Sequence, residues 1–108
     1  MITAIVQIRL PAKVALVDAR KIFETTAPQY QVVSGLIRKY YLLSEDEGHV
    51  GGVYLWESRE QALALYSEDW AEFVREKYGT RPSVQFFETP VVVDNILGKI
   101  IVSDEGID

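Results

Sequence analysis

The sequence contains no cysteine and only one histidine, His49, among its 108 residues. Without cysteine, the chain can form neither a disulfide nor a thiolate metal site, and a cysteine nucleophile is excluded. One imidazole is too few for any site that needs two or more histidine ligands. The lack of cysteine fits a reducing compartment, and we expect a cytoplasmic protein.

Basic charge and long apolar runs are also scarce. Eleven lysine and arginine residues stand against 16 acidic ones, which gives a formal net charge of −5. This charge repels a phosphate backbone and no basic cluster offsets it, so nucleic-acid binding is disfavoured. No window reaches the ~18 consecutive apolar residues of a membrane span. Residues 1–4 lack the positive charge of a signal peptide, so we expect a soluble protein without membrane association.

The length and the composition, 48% apolar and 25% charged, fit one globular domain. Hydrophobic periodicity predicts strands at 2–10, Leu36–Leu43, His49–Trp56 and 83–93, and helices at 12–27, from Ser58 onward, and at 70–78. The resulting order, β-α-β-β-α-β, is the ferredoxin-like arrangement. It predicts an α+β fold in which a four-stranded antiparallel sheet carries the helices on one face.

Local residues set the predicted ends of these elements. Pro28 is expected to stop the first helix, because the residue before a proline avoids helical angles. Ser58, followed by Gln61 three residues later, predicts a helix N-cap, and Gly79 predicts a helix end. Pro90 removes one hydrogen-bond donor from the last strand, so we expect an edge, a bulge or an exchanged strand there.

Residues 1–94 form the predicted domain, and residues 95–108 form a tail. In the tail, Lys99–Val102 predicts a short strand that packs on a partner chain. Residues 104–108 are expected to be disordered.

Both faces of the predicted sheet are apolar. Strict alternation in Leu36–Leu43 gives two apolar sets: Leu36, Tyr40 and Leu42 on one side, and Ile37, Tyr41 and Leu43 on the other. Helices cover only one face, so a monomer would expose an apolar patch of unusual size. Stacking on a second copy at about 10 Å would bury that patch. The sequence therefore predicts a homodimer that shares an α+β barrel.

The central hairpin resembles a known family. Residues 35–40 (GLIRKY), 44–45 (SE) and 51–56 (GGVYLW) are similar to the YdhR-type monooxygenases, in the antibiotic-biosynthesis-monooxygenase-like group of dimeric α+β barrels. The similar block spans most of residues 34–93. The resemblance implies a cofactor-independent oxygenase that oxidises a phenol or polycyclic aromatic with molecular oxygen. In keeping with it, the sequence has no GxGxxG after a strand, no P-loop and no HExxH, so we expect neither cofactor nor metal.

Four residues are candidates for catalysis: Lys39, Arg38, Tyr40 and His49. Arg38 and Lys39 are adjacent in a strand and face opposite sides of it, so one of them enters the dimer interior or a helix-side cavity. That cation either steadies a phenolate or an oxygen anion, or forms an interface ion pair with Glu57 or Glu88. His49, with an ordinary pKa of ~6.5, is either a general base or a solvated residue of the acidic turn before it.

Seven residues are candidates for substrate binding: Trp56, Tyr54, Tyr66, Trp70, Phe73, Gly51 and Gly52. Aromatic walls hold a planar ring by stacking, although the same pattern is typical of an ordinary core. The two glycines either let a ligand approach the backbone or make room for a bulge or a packed aromatic ring.

The resemblance, taken with these candidate residues, implies a cofactor-independent monooxygenase acting on a small aromatic or quinol-like compound in a pocket between helices and sheet. One alternative is a non-catalytic small-molecule-binding or stress-related dimeric barrel, and another is an isomerase of the muconolactone kind. A cavity lined by tyrosines and a cation would favour an enzyme. A pocket filled by its own side chains would favour the binding protein.

Overall fold

The computed structural model describes residues 1–103. Its elements are β1 (Ile2–Arg9), α1 (Leu16–Tyr30), β2 (Leu36–Leu43), β3 (His49–Trp56), α2 (Arg59–Leu65), α3 (Glu68–Tyr78), β4 (Ser83–Glu88), β5 (Val91–Asp94) and β6 (Lys99–Val102). The first four strands form an antiparallel sheet in the order β2-β3-β1-β4, which confirms the predicted ferredoxin-like α+β class. Across residues 1–103, no helix is long and apolar enough to cross a membrane. The expectation of disorder at 104–108 lies outside the described residues.

The core lies between this sheet and the helices. Alternate residues of β1, from Ile2 to Ile8, are at most 4% exposed, and the facing residues of β3 are buried with them. Tyr30 of α1, Ala62 of α2 and Trp70 of α3 close the core from the helix side. The period-two pattern of β1 therefore identifies the core face of the sheet correctly.

Helix α1 begins and ends later than predicted. The segment before it is not helical, because the amides of Leu10 and Val14 donate to the carbonyls of Gly48 and Glu47 in the β2–β3 turn. Pro28 lies inside the helix and does not stop it. A proline in the last turn removes one N–H donor, and the helix continues to Tyr30, which packs in the core.

The predicted cap at Ser58 and the predicted helix end at Gly79 are confirmed, and the structure has a second cap at Ser67. The Ser58 side chain accepts a hydrogen bond from the Gln61 amide at the start of α2, and the Ser67 side chain accepts one from the Trp70 amide at the start of α3. Gly79 ends α3 with φ of 93°, a left-handed conformation that favours glycine. Because Ser67 acts as a second cap, α3 begins at Glu68 and not at residue 70.

The predicted strand 83–93 is two separate strands. Thr89 and Pro90 divide β4 from β5, and β5 pairs with β6 in its own two-stranded hairpin. Lys99–Val102 thus pairs within the same chain. The Asp94 side chain accepts hydrogen bonds from the amides of Ile96 and Leu97 in the hairpin turn, and it lies 3.7 Å from the Arg38 guanidinium on β2. That ion pair ties the hairpin to the sheet.

A β-bulge in β2 corrects the predicted faces of that strand. The pairing with β3 shifts between Leu36 and Arg38, which leaves Ile37 as the extra residue. The bulge places Leu36 on the same face as Lys39 and Tyr41, towards the helices. Strict alternation assigned Leu36 to the opposite face.

The side of the four-stranded sheet turned away from the helices is called the open face here. It carries six apolar or aromatic residues, namely Ile5, Tyr40, Leu42, Val53, Leu55 and Phe87. Tyr40, Leu42 and Phe87 are each between 41% and 52% exposed. The β5–β6 hairpin borders one end of this face, where it shares a groove with Thr3, Arg38, Tyr40, Val53 and Leu55.

Candidate functional site

A small cavity lies between the sheet and helices α1 and α3. Its volume is about 30 Å³, enough for one or two water molecules. Side chains from β1, β2, β3, α1 and α3 line it. Lys39 provides a charged group in this otherwise largely aromatic and aliphatic lining.

Three tyrosine rings surround the amine of Lys39. Its Nζ atom lies 3.4 Å from the ring centroid of Tyr30, 3.8 Å from that of Tyr41 and 4.6 Å from that of Tyr54. We call these three residues the tyrosine cage. They come from α1, β2 and β3, so the cage exists only when the helix packs on the sheet. Among residues 1–103, no carboxylate forms an ion pair with Lys39.

Burial controls the protonation of this site. Loss of solvation lowers the pKa of Lys39 from 10.5 to about 7, because the charged amine is disfavoured away from water. The negative ring faces of the cage attract the ammonium form and act in the opposite direction. Burial raises the pKa values of Tyr41 and Tyr54, so both stay neutral phenols where Lys39 titrates. Near neutral pH the amine of Lys39 is therefore partly free, beside the neutral hydroxyls of Tyr41 and Tyr54.

Hydrogen bonds fix the orientation of the cage. The hydroxyls of Tyr41 and Thr26 are 2.7 Å apart, and the indole N–H of Trp70 donates to the Tyr30 hydroxyl over 3.2 Å. Phe23 stacks on the Tyr41 ring with centroids 4.8 Å apart. Rings held in this way keep the lysine pocket in one shape.

The predicted substrate-binding aromatics divide into two groups. Tyr54, Trp70 and Phe73 line the cavity, although Phe73 is 41% exposed. Trp56 and Tyr66 fill the core beside the cage, where the Trp56 indole N–H donates to the Tyr66 hydroxyl over 3.1 Å. Burial raises the pKa of Tyr66, which keeps this hydroxyl neutral.

The glycine pair leaves room for the chain's own atoms. A Cβ added to Gly52 would lie 2.9 Å from the Tyr40 carbonyl oxygen and 3.1 Å from a ring carbon of Tyr54. A Cβ on Gly51 would collide with the carbonyl oxygen of Val6. Gly51 also lines the cavity. The close neighbours of both glycines favour the interpretation as space for packing.

The structure separates the four catalytic candidates. Lys39 alone of the four lines the cavity. Arg38 and Tyr40 lie on the open face, where the Arg38 guanidinium is 3.4 Å from the Tyr40 hydroxyl and pairs with Asp94. The predicted alternative partners were Glu57 and Glu88, so the partner found is a different residue. The hydrogen bond with Tyr40 is the main cause that raises the pKa of Arg38.

His49 is exposed at the start of β3, where its backbone N–H donates to the Ser44 side chain. This position is remote from the cage and matches the interpretation as a solvated turn residue. Across residues 1–103, no group of three or more histidine, aspartate or glutamate side chains is placed to hold a metal ion.

Sequence reasoning missed two cage residues, Tyr30 and Tyr41, and also Thr26, whose hydroxyl is hydrogen-bonded to that of Tyr41. A helix that ends at Pro28 leaves Tyr30 outside it. A helix continued through Pro28 would have put Phe23, Thr26 and Tyr30 on one face at spacings of three and four.

The comparison with known proteins shows which solved structures share the fold of this chain. No family model and no curated protein matches the chain. Among solved structures, SnoaB, a cofactor-independent oxygenase from Streptomyces nogalater, matches with a TM-score of 0.59 at 14% identity, over 82% of this chain and 91% of its own. The ActVA-Orf6 monooxygenase of Streptomyces coelicolor, in complex with Nanaomycin D, matches with a TM-score of 0.59 at 18% identity, over 82% and 86%.

A third structure, of an antibiotic biosynthesis monooxygenase, matches with a TM-score of 0.60 at 12% identity, over 82% of this chain and 98% of its own. The predicted resemblance is thus confirmed at the level of the fold, which is that of the antibiotic biosynthesis monooxygenase structures. The narrower similarity to YdhR-type proteins stays a prediction. A shared fold does not determine a reaction.

Proposed function

We propose that this protein is a cofactor-independent monooxygenase of small aromatic or quinol-like compounds, and that Lys39 is its acid–base residue. The observation that carries the proposal is the amine of Lys39, enclosed by three tyrosine rings and without an ion-pair partner among residues 1–103. The fold that the chain shares with SnoaB and with the ActVA-Orf6 monooxygenase supports this choice of reaction class.

The proposed chemistry starts with a proton transfer. The neutral amine of Lys39 accepts the hydroxyl proton of the substrate, and the ammonium that forms stabilises the phenolate. The electron-rich ring then passes electrons to molecular oxygen. One oxygen atom is retained as a new carbonyl or hydroxyl group, and the other leaves as water with two hydrogens from the substrate. The substrate itself is the reductant, so the electrons balance without a cofactor.

A planar substrate requires the cavity to open. Its 30 Å³ is far smaller than an aromatic ring. Phe73 is the half-exposed aromatic residue of the lining, and Lys77, also exposed, lies beside the same cavity. We propose that these two side chains swing outward and that the ring of the substrate takes the place of the Phe73 ring against the cage.

The small volume also favours a second candidate, a non-catalytic binding protein. In that case the aromatic side chains fill the site, and Lys39 is simply a buried cation held by ring faces. Turnover distinguishes the two candidates, because only an oxygenase consumes oxygen.

The test is oxygen uptake with a panel of hydroquinones and anthrones. We expect consumption above buffer with at least one substrate, and a loss of about a hundredfold to ten-thousandfold in rate for Lys39→Met. Lys21→Met, at an exposed position of α1, is the matched control and should retain full activity. Equal rates for wild type and buffer across the panel would remove the oxygenase proposal in favour of the binding protein.

We propose in addition that two copies pair through the open face. Exposed Tyr40, Leu42 and Phe87 support this, because a sheet face of this kind is stable in water only when covered. Ile5 of β1 and Val53 and Leu55 of β3 lie between them on the same face and continue the apolar patch. A second copy offers the same surface, so two-fold pairing covers both faces at once.

Sedimentation equilibrium tests the pairing. We expect the wild-type protein to sediment with twice the mass of one chain at micromolar concentration. The Leu42→Glu variant should sediment with the mass of one chain. The control is Leu63→Glu, which changes an exposed leucine of α2 that lies away from the open face. A wild-type protein that sediments as one chain would rule out the dimer.

A further inference from the structure

Lys39 differs from the other four lysines of the chain, Lys13, Lys21, Lys77 and Lys99. Those four are exposed, whereas Lys39 is partly buried and reaches into the cavity. The charged and titratable groups around this cavity are the cage tyrosines from α1, β2 and β3, together with Lys77 and Tyr78 from α3. None of them is an acid that would hold the amine as an ammonium.

We propose that Lys39 is a nucleophile that forms an imine with small aldehydes. Its nitrogen attacks the carbonyl carbon, and the adduct then loses water to leave a carbon–nitrogen double bond. The oxygen of the water comes from the carbonyl, and its two hydrogens come from the amine. No oxidant or reductant is needed for this condensation.

The geometry of the site suits this reaction in size and in polarity. The free volume of about 30 Å³ matches a carbonyl compound of one or two carbons. The aromatic rings of Tyr30, Tyr41 and Tyr54 surround the nitrogen and restrict water around it. Because water reverses imine formation, a dry pocket prolongs the life of the adduct.

The protonation state of Lys39 adds to this argument. Its pKa of about 7 leaves roughly half of the amine free at neutral pH, whereas an ordinary lysine has less than about one part in a thousand free. Only the free amine attacks a carbonyl. Tyr78, whose pKa burial raises to about 12, stays neutral beside it. The reactive form is thus enriched at one lysine of the chain.

The proposal does not depend on the oxygenase reaction. Imine formation needs no molecular oxygen and no aromatic substrate, so the labelling experiment below can succeed where oxygen uptake fails, and the reverse. A protein that forms imines without consuming oxygen would act on carbonyl compounds in the same cavity.

Competitive labelling of the wild-type protein tests the inference. The folded chain is treated briefly with formaldehyde and sodium cyanoborohydride, which reduces the imine to a stable methylamine, and each lysine is quantified by peptide mass spectrometry. At about pH 7 we expect Lys39 to react at least about tenfold faster than the mean of the four exposed lysines. Its rate should level off above about pH 8, while theirs continue to rise.

Two further outcomes are decisive. In urea sufficient to unfold the chain, the preference for Lys39 should disappear, because the cavity no longer exists. A rate for Lys39 that equals or falls below those of the exposed lysines in the folded protein would overturn the proposal. So would a preference that persists in urea, since it would then come from local sequence and not from the cavity.

Discussion

The amine nitrogen of Lys39 lies 3.4 Å from the centre of the Tyr30 ring, a contact between a strand and the last residue of a helix. Two effects meet in this contact. Burial disfavours the ammonium, and the ring face attracts it. The chemistry of the cavity depends on their balance, and the following predictions test it together with the structure around it.

The first prediction concerns pH and Lys39. The pKa of this amine is 10.5 when unfolded and about 7 when folded. Between these values the unfolded chain binds more protons, so the free energy of unfolding rises with pH across this window and is lowest below pH 7. We expect Lys39→Met to raise the free energy of unfolding by about 1–4 kcal/mol near pH 6 and to remove this pH dependence.

Urea unfolding of wild type and variant at about pH 6 and pH 9.5 provides the measurement. Lys21→Met, in the exposed part of α1, should keep the wild-type slope. If Lys39→Met were instead less stable than wild type near pH 6, the attraction of the ring faces would outweigh the loss of solvation.

The second prediction concerns the hydrogen bond between Trp56 and Tyr66. Tyr66→Phe leaves the indole N–H of Trp56 without its acceptor in a fully buried position. We expect a loss of about 1–3 kcal/mol in the free energy of unfolding. Tyr78→Phe is the control, since the Tyr78 hydroxyl makes no hydrogen bond within residues 1–103, and it should stay within ~0.5 kcal/mol of wild type. Equal losses of unfolding free energy in the two variants would contradict a stabilising role for the hydrogen bond between Trp56 and Tyr66.

The third prediction concerns the β5–β6 hairpin. Asp94→Ala removes the acceptor of the Ile96 and Leu97 amides and the ion pair with Arg38. We expect faster amide hydrogen exchange in residues 91–102, with exchange in β1 and β3 unchanged. Asp94→Asn keeps a side-chain oxygen for the turn and should have a smaller effect. A hairpin that exchanges at the wild-type rate in Asp94→Ala would show that its strand pairing suffices.

The fourth prediction concerns the end of α3. Gly79→Ala must adopt φ of 93°, and its new Cβ would lie 2.8 Å from the Pro11 ring. We expect a loss of about 1–3 kcal/mol, measured by thermal or urea unfolding. Gly98→Ala, with φ of 67° and open space around its Cβ, carries the strain without the clash. If Gly98→Ala lowers the free energy of unfolding as much as Gly79→Ala does, the contact with Pro11 has no effect on stability and the prediction is wrong.

Local physics explains which elements were predicted well. Strands β2 and β3 have the predicted bounds, and the Ser58 cap and the Gly79 helix end are where expected. Alternation and capping depend on neighbours a few residues away, so the sequence contains them in full. Where distant contacts decide, prediction failed. Residues 12–15 are not helical because the Val14 amide bonds to the β2–β3 turn, and β5 pairs with β6 instead of continuing the sheet.

The sequence by itself determined the order of the elements, the apolar character of both sheet faces, and the fact that Arg38 and Lys39 face opposite ways. It did not determine which of the two cations enters the core. That choice follows from the pairing of β2 with β3 after the bulge at Ile37, and from the packing of α1, which brings Tyr30 over Lys39. Register and helix packing are collective properties of the folded chain, so the environment of this lysine was decided by the tertiary structure.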